Sequence, residues 1–410
     1  MRQADIIISG GGMVGLSLGL ALAQGGFRTV VADIAPMTAQ LDPNFDGRVS
    51  ALAYATIRMV RALGVWDAMA AHAQPIREIL VTDGAPGRAA SPFSLHFDAQ
   101  EVGASQLGAI VENRHIRAAL AARAAQEKNL TLIAPAAVTG VTGVTVTGIG
   151  VTATLSNGET VSAALAIAAD GRVSPLRENM GIKTIGWSYP QTGIVATVAH
   201  ARPHNGVAYE HFLPAGPFAI LPMTDNRSSL VWTEEKAKAP ALLALDEARF
   251  NAELAKRFGA HLGDVRVTGP RWSYPLSFHI ARDFVRPRFA LAGDCAHGIH
   301  PIAGQGLNLG LKDAAALAEV LLDAARLGQD IGALDVLKRY ERWRRFDSVA
   351  MAASTDALNR LFSNDIAPLR LLRDVGMGIV DSIGPARRFF MRHAGGDVGK
   401  LPRLMRGEAA

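Results

Sequence analysis

The residues best suited to chemistry lie in one stretch, Gly293–Asn308, which combines a Gly-Asp pair with a second group of glycines. An apolar run that predicts a strand, Phe289–Ala292, precedes it, and a long helical pattern begins near Gly306. This order puts a carboxylate and several unpaired backbone N–H groups at one sheet edge, where a helix N-terminus attracts anions and electron-rich oxygens. Gly304 and Gly306 would let a flat ligand approach the backbone. Taken alone, the stretch fits an ordinary strand–turn–helix equally well.

A second chemical signal lies at the start of the chain, where the strand pattern Ile6–Ser9 leads into a G-x-G-x-x-G sequence and a helix of small residues. The next strand pattern ends in an acid, Asp33, about twenty residues after the glycines, as in dinucleotide-binding folds. Gly10 is expected to make the tight turn, Gly12 to admit a pyrophosphate and Gly15 to allow close helix–strand contact. Asp33 is placed to accept a hydrogen bond from an adenosine ribose.

A third signal is a buried strand pattern that ends in Asp170-Gly, followed by Ser174 and Arg177. Ser174 is interpreted as a helix N-cap. Asp170 is more informative, because an acid that closes an apolar strand is unfavourable unless something pairs with it. Arg48 precedes a helix pattern over 51–63, and there it fits both a solvated cap and a contact with a cofactor.

Two β-rich segments separate these signals. Residues 76–111 and 183–279 alternate between apolar and polar positions, and the second segment contains a helix pattern near 240–259. A further β pattern over 131–160 includes the hairpin turn Asn157-Gly158. The second segment also concentrates aromatic residues, most of which are expected to form the core of a large sheet over a pocket.

Composition limits the class of protein. The chain has 410 residues, 49% hydrophobic and 19% charged, which indicates a globular fold with a sizeable core. Cys295 is the single cysteine, so an intrachain disulfide is excluded, a reducing compartment is expected, and the thiol is interpreted as a packed side chain. No signal peptide, membrane-spanning run or metal site is predicted.

The net charge of +5 is concentrated near the C-terminus. Residues 366–410 contain eight Lys and Arg against four Asp and Glu, a net +4, which leaves about +1 for the rest. Because the body of the chain is nearly neutral, nucleic-acid binding is not expected.

Together the patterns predict an α/β (α+β) architecture, with a Rossmann-type nucleotide-binding domain, an inserted β-sheet domain and a helical C-terminal region. The nucleotide-binding domain is assigned to 1–73, 112–182 and 280–365, and the substrate-domain sheet to 74–111 and 183–279. Residues 366–410 form the basic C-terminal segment. Only one dinucleotide fingerprint is present, so the second glycine-rich helix start would hold another part of the same cofactor. FAD, with its adenosine and its flavin ring, suits this better than NAD.

The sequence resembles the single-component FAD-dependent aromatic hydroxylases, typified by p-hydroxybenzoate hydroxylase. Within them it is most similar to the ubiquinone-biosynthesis hydroxylases, through five segments spread over nearly the whole chain. These segments are Asp46-Gly-Arg-Val-Ser-Ala-Leu, Val111-Glu-Asn-Arg, Tyr209-Glu-His-Phe, His297–Gly310 and Arg387-Arg-Phe-Phe-Met-Arg.

The resemblance implies an FAD site at identified positions. Asp33 would bind the adenosine ribose, Asp294 a ribityl hydroxyl, and Arg48 and Arg114 would lie against the FAD. The expected cofactor-binding residues are Gly10, Gly12, Met13, Val14, Gly15, Asp33, Arg48, Arg114, Asp170, Arg177, Asp294, Pro301, Gly304, Gln305, Gly306, Leu307 and Asn308. Asp170 and Arg177 are implicated in nicotinamide binding as well.

The resemblance also implies the reaction. NADH or NADPH would reduce the flavin, and a flavin hydroperoxide formed with O₂ would hydroxylate the ring of a polyprenylated phenol in ubiquinone biosynthesis. No general base can be assigned from sequence, and His300 and His211 are the candidates, each better explained as structural. His211, Pro222 and Trp232 are the expected substrate contacts. His211 stands where the family more often has arginine, and if its side chain faces the substrate, this departure bears on substrate choice.

Three other functions compete with this one. A halogenase of the same scaffold would carry a Trp-x-Trp-x-Ile-Pro segment, whereas the nearest match is Trp272-Ser-Tyr-Pro. An isoprenoid reductase shares the scaffold too. A subunit that binds FAD only for structure, in a membrane assembly, would need no nicotinamide access.

The expected location is the cytoplasm, with peripheral contact at the inner face of a membrane. Residues 366–410 combine basic side chains with Phe389 and Phe390, which suits an anionic membrane or a partner protein of ubiquinone biosynthesis. A terminal helix packed on the FAD domain explains the same pattern.

Overall fold

A computed structural model describes residues 1–42, 46–87, 94–144, 149–363, 384, 391, 395 and 399–410. The strands, numbered in chain order, are β1 (Arg2–Gln3), β2 (Ile6–Ser9), β3 (Thr29–Ala32), β4 (Val49–Ala53), β5 (Gln74–Ile76), β6 (Glu78–Asp83), β7 (Ser94–Asp98), β8 (Gly108–Glu112), β9 (Leu130–Ile133), β10 (Val138–Thr142), β11 (Val151–Leu155), β12 (Thr160–Ala163), β13 (Leu165–Ala168), β14 (Thr184–His200), β15 (Val207–Leu213), β16 (Gly216–Met223), β17 (Arg227–Glu235), β18 (Val265–Ala281), β19 (Val285–Arg286), β20 (Phe289–Leu291) and β21 (His297–Gly298).

The α-helices are α1 (Met13–Gln24), α2 (Met37–Gln40), α3 (Tyr54–Ala62), α4 (Asn113–Ala125), α5 (Pro175–Asn179), α6 (Ala239–Leu243), α7 (Glu247–Phe258), α8 (Gln305–Arg326), α9 (Leu334–Phe362) and α10 (Arg403–Arg406). Among the helices of the described ranges, none combines the length and the apolar character needed to cross a bilayer.

The first large sheet has six strands in the order β19-β20-β13-β2-β3-β9. Strands β20, β13, β2, β3 and β9 run parallel, and the three central ones, β13, β2 and β3, are buried along their whole length. A parallel sheet covered on both faces requires such continuous apolar runs, as in the triple isoleucine of β2. The carboxyl ends of β2, β13 and β20 therefore bring the three predicted loops to one edge.

The second large sheet has eight strands in the order β21-β18-β14-β17-β16-β15-β6-β7. One face, here called the outer face, is covered by α7, and Trp232 packs there against Phe218 and Phe250 at ring-centroid distances of 5.9 and 5.7 Å. The opposite face, here called the inner face, borders a large cavity. Because side chains alternate along a strand, every second residue belongs to each face.

The predicted α/β architecture is confirmed, and the hairpin turn at Asn157-Gly158 joins β11 to β12. Two predicted helices differ in extent. Residues 49–53 form β4 because their backbone pairs with β8, so the helix begins only at Tyr54. The helix predicted near 240–259 is divided into α6 and α7, with Asp246 capping the second by accepting from Arg249 N–H at 2.8 Å. Most of the predicted C-terminal helix lies outside the described residues.

A buried carboxylate, Asp313 on α8, ties the Gly293 loop to two helices. Asp313 accepts a hydrogen bond from the backbone N–H of Gly293 at 3.0 Å and contacts His297 Nε2 at 2.5 Å. Its other oxygen accepts from Arg344 Nε of α9 at 2.8 Å. Burial opposes ionisation of Asp313, but His297 and Arg344 hold the pKa of its carboxyl below the ordinary value.

Removing this carboxylate should destabilise the fold. In Asp313→Ala the Arg344 guanidinium, which is fully buried, loses a charged partner, so the free energy of unfolding should fall by about 3–5 kcal/mol. Chemical denaturation of both proteins measures the difference.

Glu235→Ala is the matched control, because the Glu235 carboxylate is 52% exposed and pairs with Lys238 at the surface. That variant should lose less than about 1 kcal/mol. Equal losses in the two variants would contradict the importance assigned to Asp313.

Candidate functional site

The site is a cavity of about 1720 Å³ between the edge of the six-stranded sheet and the inner face of the eight-stranded sheet. A single small-molecule pocket usually measures about 300–1,000 Å³, so this cavity has room for more than one ligand. Most of the residues predicted to bind the cofactor line it, from three separate parts of the chain. They are Gly12, Met13, Val14, Arg48, Asp294, Pro301, Gly304, Gln305, Gly306, Leu307 and Asn308.

The three glycines of the G-x-G-x-x-G sequence occupy three different structural environments. Gly10 has φ +106°, and a Cβ there would lie 2.3 Å from the carbonyl oxygen of Ala169. A Cβ on Gly15 would lie 1.9 Å from the carbonyl oxygen of Gly10, so only glycine lets α1 approach β2. At Gly12 a Cβ would meet no protein atom within 4 Å. Packing therefore explains Gly10 and Gly15, whereas Gly12 leaves open the space beside the N-terminus of α1.

Asp33 follows β3 and lies beside this loop. Its carboxylate accepts hydrogen bonds from the backbone N–H groups of Gly11 at 2.6 Å and Ala35 at 2.8 Å. Gln40 Nε2 donates a further bond at 3.0 Å. The acid is thus fixed next to the glycine turn, as predicted for a residue that accepts from a ribose hydroxyl. That role itself stays a prediction.

The second glycine cluster forms the beginning of α8. Gly304 is the N-cap with φ +61°, a left-handed conformation that favours glycine, and a Cβ on Gly306 would meet no atom within 4 Å. No side chain caps α8 or α1, and neither helix has an acid in its first turn. Asn308 is held by protein groups, since its side chain bonds Ala53 N–H at 2.9 Å and the Ala51 carbonyl at 2.8 Å. It positions β4 against α8.

Arg48 lines the cavity as one part of a polar cluster. Its guanidinium donates Nε to Asp46 at 2.8 Å, and Asp46 also accepts from Arg117 at 2.6 Å and from Asn113 at 3.0 Å. Burial would raise the pKa of Asp46, but these hydrogen bonds, led by Arg48, hold it well below its ordinary value. Arg114 pairs with Glu112 at 2.8 Å and does not line the cavity. From helix α4, Asn113 and Arg117 line the wall.

The loop after β13 contains Asp170 and leads to Arg177, two predicted cofactor contacts that are not among the residues lining the cavity. Oδ1 of Asp170 is buried and lacks a hydrogen-bond partner among the residues that the structure describes. Burial raises the pKa of Asp170, against the opposing effect of Ser174. Ser174 is the N-cap of α5, as predicted, and accepts from Arg177 N–H at 3.1 Å. The Arg177 guanidinium donates to the carbonyl of Cys295 at 3.0 Å, so it braces the loop from behind.

The three predicted substrate contacts, His211, Pro222 and Trp232, do not line the cavity, because they lie on the outer face of the eight-stranded sheet. Trp232 belongs to the core under α7. Phe218 and Ile220, which share a face of β16 with Pro222, belong to the same core. His211 contacts Thr82 Oγ1 at 2.6 Å. Alternation puts their neighbours on the cavity wall instead. Those neighbours are Glu210, Phe212, Leu221, Val231 and Thr233.

The two histidine candidates do not fit the role of a general base. Burial lowers the pKa of His211 to about 4, and its ring is on the outer face. His300 is fully buried, its pKa is also lowered to about 4 by burial, and its ring packs edge-on against Tyr189 at 5.2 Å. Neither ring nitrogen of His300 has a hydrogen-bond partner within the described ranges.

Sequence reasoning missed Glu210, an ionisable side chain on the inner face. It lies between Ala208 and Phe212, which also line the cavity, and burial raises the pKa of its carboxyl to about 8. The available signal was the side-chain period of a strand, which places this acid on one face together with Ala208 and Phe212.

The residues fit an FAD molecule. Helices α1 and α8 direct uncapped N-termini toward one cavity, and Gly12 and Gly306 leave open space beside them. Uncapped N–H groups suit a pyrophosphate at one helix and the electron-rich pyrimidine edge of a flavin at the other. The Asp294 carboxylate on the wall offers an acceptor for hydroxyl or amide groups.

Comparisons with known proteins identify the family of the chain. A family described as "FAD binding domain" matches residues 3–354. Ubiquinone hydroxylase UbiL of Rhodospirillum rubrum is 52% identical over 99% of this chain and 93% of its own length. The 3-demethoxyubiquinol 3-hydroxylase of Escherichia coli is 35% identical over 96% of this chain and 98% of its own.

A solved structure shares the fold. The crystal structure of p-nitrophenol 4-monooxygenase from Pseudomonas putida superposes with a TM-score of 0.78 at 19% identity, covering 98% of this chain and 100% of that one. The predicted family resemblance and the predicted cofactor are confirmed. The chain belongs to the FAD-binding domain family, and FAD is its cofactor.

Proposed function

We propose that the protein is an FAD-dependent monooxygenase that hydroxylates the aromatic ring of a polyprenylated phenol in ubiquinone biosynthesis, with NADH or NADPH and O₂ as co-substrates. The observation that carries the proposal is one cavity that joins two uncapped helix N-termini to the apolar inner face of a large sheet. The names of the relatives, a ubiquinone hydroxylase and a demethoxyubiquinol hydroxylase, support the choice of substrate class.

FAD, when bound, supplies electron transfer and the activation of O₂. The protein's own residues contribute binding, orientation and electrostatics. The N-terminus of α8 at Gly304–Gly306 would stabilise negative charge on the reduced ring. The apolar residues of the inner face, including Val81, Leu221 and Val231, would keep water from the reacting atoms.

The opening of the cavity suits a long apolar substituent on the substrate. Three side chains of α9 line the cavity and are also exposed to solvent, namely Phe346 at 77%, Leu361 at 42% and Leu358 at 40%. Exposed apolar residues that continue a pocket mark a binding surface for an apolar ligand. A polyprenyl chain could leave the pocket along this helix while the ring stays inside.

The direct test is turnover. Purified protein with FAD, NADH or NADPH and O₂ should convert a short-chain prenylated phenol into a product heavier by one oxygen atom, detected by mass spectrometry. Cells that lack the protein should accumulate one unhydroxylated quinone precursor. If neither NADH nor NADPH is oxidised in the presence of any phenol, the result would favour a subunit that binds FAD only for structure.

Gly12→Val should abolish FAD binding while the fold persists. The valine side chain meets no protein atom close to its Cβ, so it should be tolerated, yet it fills the space where the pyrophosphate would approach α1. Flavin absorbance per protein chain, together with circular dichroism, measures both effects.

Gly140→Val is the control, because a Cβ on this strand residue also meets nothing within 4 Å. The control should keep a full complement of flavin. If Gly12→Val binds FAD as tightly as the parent protein, the assignment of the first glycine loop is wrong.

We also propose that residues 366–410 contact an anionic membrane surface through the basic side chains Arg387, Arg388 and Arg392, on the evidence of their charge. The parent protein should co-sediment with liposomes that contain anionic lipid, and less so at high salt. Replacing Arg387, Arg388 and Arg392 by Gln should weaken this binding, since each basic residue near such a surface contributes about 1 kcal/mol. FAD content should not change.

The control replaces three exposed basic residues of the body, Arg2, Lys238 and Arg249, in the same way. It should bind liposomes like the parent. Unchanged binding by the C-terminal triple variant, or no binding by the parent protein, would favour a terminal helix packed on the FAD domain.

A further inference from the structure

One row of residues crosses the inner face of the eight-stranded sheet and contains a single ionisable side chain. Backbone pairing places Glu210 of β15 opposite Val81 of β6 on one side and Ala219 of β16 on the other. The row continues through further paired positions on β7, β17 and β14. All its members line the cavity: Leu95, Val81, Glu210, Ala219, Val231 and Val195.

The environment of the Glu210 carboxyl is apolar along the strand as well. Ala208 and Phe212, two residues before and after it, also line the cavity, and Phe212 stacks on Phe362 of α9 at 4.1 Å between ring centroids. Within the described part of the chain, the carboxyl has neither a hydrogen-bond donor nor an ion-pair partner. Burial raises its pKa to about 8.

The other charged groups around the cavity do not pair with the Glu210 carboxyl. Strand β6 contributes Asp83, which accepts from Gly84 N–H at 3.0 Å, while β16 has no ionisable residue and α9 presents Phe362. Burial is the cause of the raised pKa of the Glu210 carboxyl. The other charged side chains on the wall are Arg48, Arg117, Arg172, Asp294, Lys312 and Asp347.

Stability gives no reason for an acid at this position. Setting a half-buried carboxyl among apolar groups without a partner is unfavourable, and glutamate is a poor strand former compared with the valines of the same row. A residue that served only to pack the wall would be apolar, as its five row-mates are. A group that the fold leaves unpartnered in a ligand cavity is instead available to the ligand.

We propose that the Glu210 carboxylate binds the hydroxyl group of the phenolic substrate and accepts its proton, which activates the ring for hydroxylation. The inference rests on the proposed function. In this step the phenol O–H bond breaks and leaves its electron pair on the phenolate oxygen. A new O–H bond forms on Glu210, and the proton passes to water when the product leaves.

The chemistry of the two groups is matched. A phenol has a pKa of about 10, whereas an ordinary glutamate has a pKa of about 4.3 and is a weak base toward it. The burial that raises the pKa of Glu210 to about 8 brings donor and acceptor closer, and still leaves an ionised fraction at neutral pH. The ionised fraction grows as pH rises, so kcat/KM should increase with pH and level off above about 8.

The test is Glu210→Gln in the FAD-loaded protein, with a short-chain prenylated phenol as substrate. Because a positioned base contributes about 10²–10⁴-fold, kcat for hydroxylation should fall by about 10²-fold or more. The pH dependence near 8 should disappear, and the rate should instead follow ionisation of the phenol itself. Less hydroxylated product should form per NAD(P)H oxidised, since reduction of the flavin does not need Glu210.

Two further variants complete the experiment. Glu78→Gln is the matched control, because Glu78 is on the neighbouring strand β6, is 39% exposed and pairs with His96 away from the cavity. It should keep the parent kcat and pH profile. Glu210→Asp keeps a carboxyl, so it should retain the pH dependence at a lower kcat. Flavin content and melting temperature verify that each variant is folded.

Three outcomes would overturn the proposal. Parent-like kcat and pH profile in Glu210→Gln would remove Glu210 from the reaction. A higher KM with unchanged kcat and pH profile would leave it a binding contact that takes no proton. If the parent protein itself binds FAD but hydroxylates no prenylated phenol, the proposed function fails first and this inference falls with it.

Discussion

The arrangement of the cavity depends on one buried carboxylate. Asp313 accepts from the backbone of Gly293, contacts His297 and receives the Arg344 guanidinium, so three segments distant in sequence meet at two oxygens. The loop after β20 must turn away from the sheet and start a helix whose first N–H groups remain unpaired. The backbone of a glycine-rich loop can adopt many conformations. The hydrogen bonds of Asp313 hold this loop in one of them.

The eight-stranded sheet separates two tasks by the simple alternation of its side chains. Outer-face residues such as Trp232 and Phe218 form a packed core with α7, while inner-face residues such as Val81 and Val231 leave an open space. Both faces are apolar, but for different reasons. The outer face is apolar because it packs closely against α7, and the inner face is apolar because it lines a ligand pocket.

This double-sided character explains what the sequence could and could not predict. The glycine loops and Asp33 were predictable, because their function depends on local spacing along a strand–turn–helix unit. Which face of β15–β17 borders the cavity was not, since alternation assigns residues to common faces without telling which face α7 covers. His211, Pro222 and Trp232 were therefore placed on the wrong side, and the true wall residues are their immediate neighbours.

The separation of the two faces also bears on how such a scaffold diversifies. Substitutions on the inner face alter the shape of the ligand space while leaving the aromatic core under α7 untouched, so they should carry little penalty in stability. Substrate preference could then change in small steps on an unchanged frame. A fold of this kind can accumulate new specificities within a lineage, because the aromatic core under α7 is separate from the residues that line the ligand space.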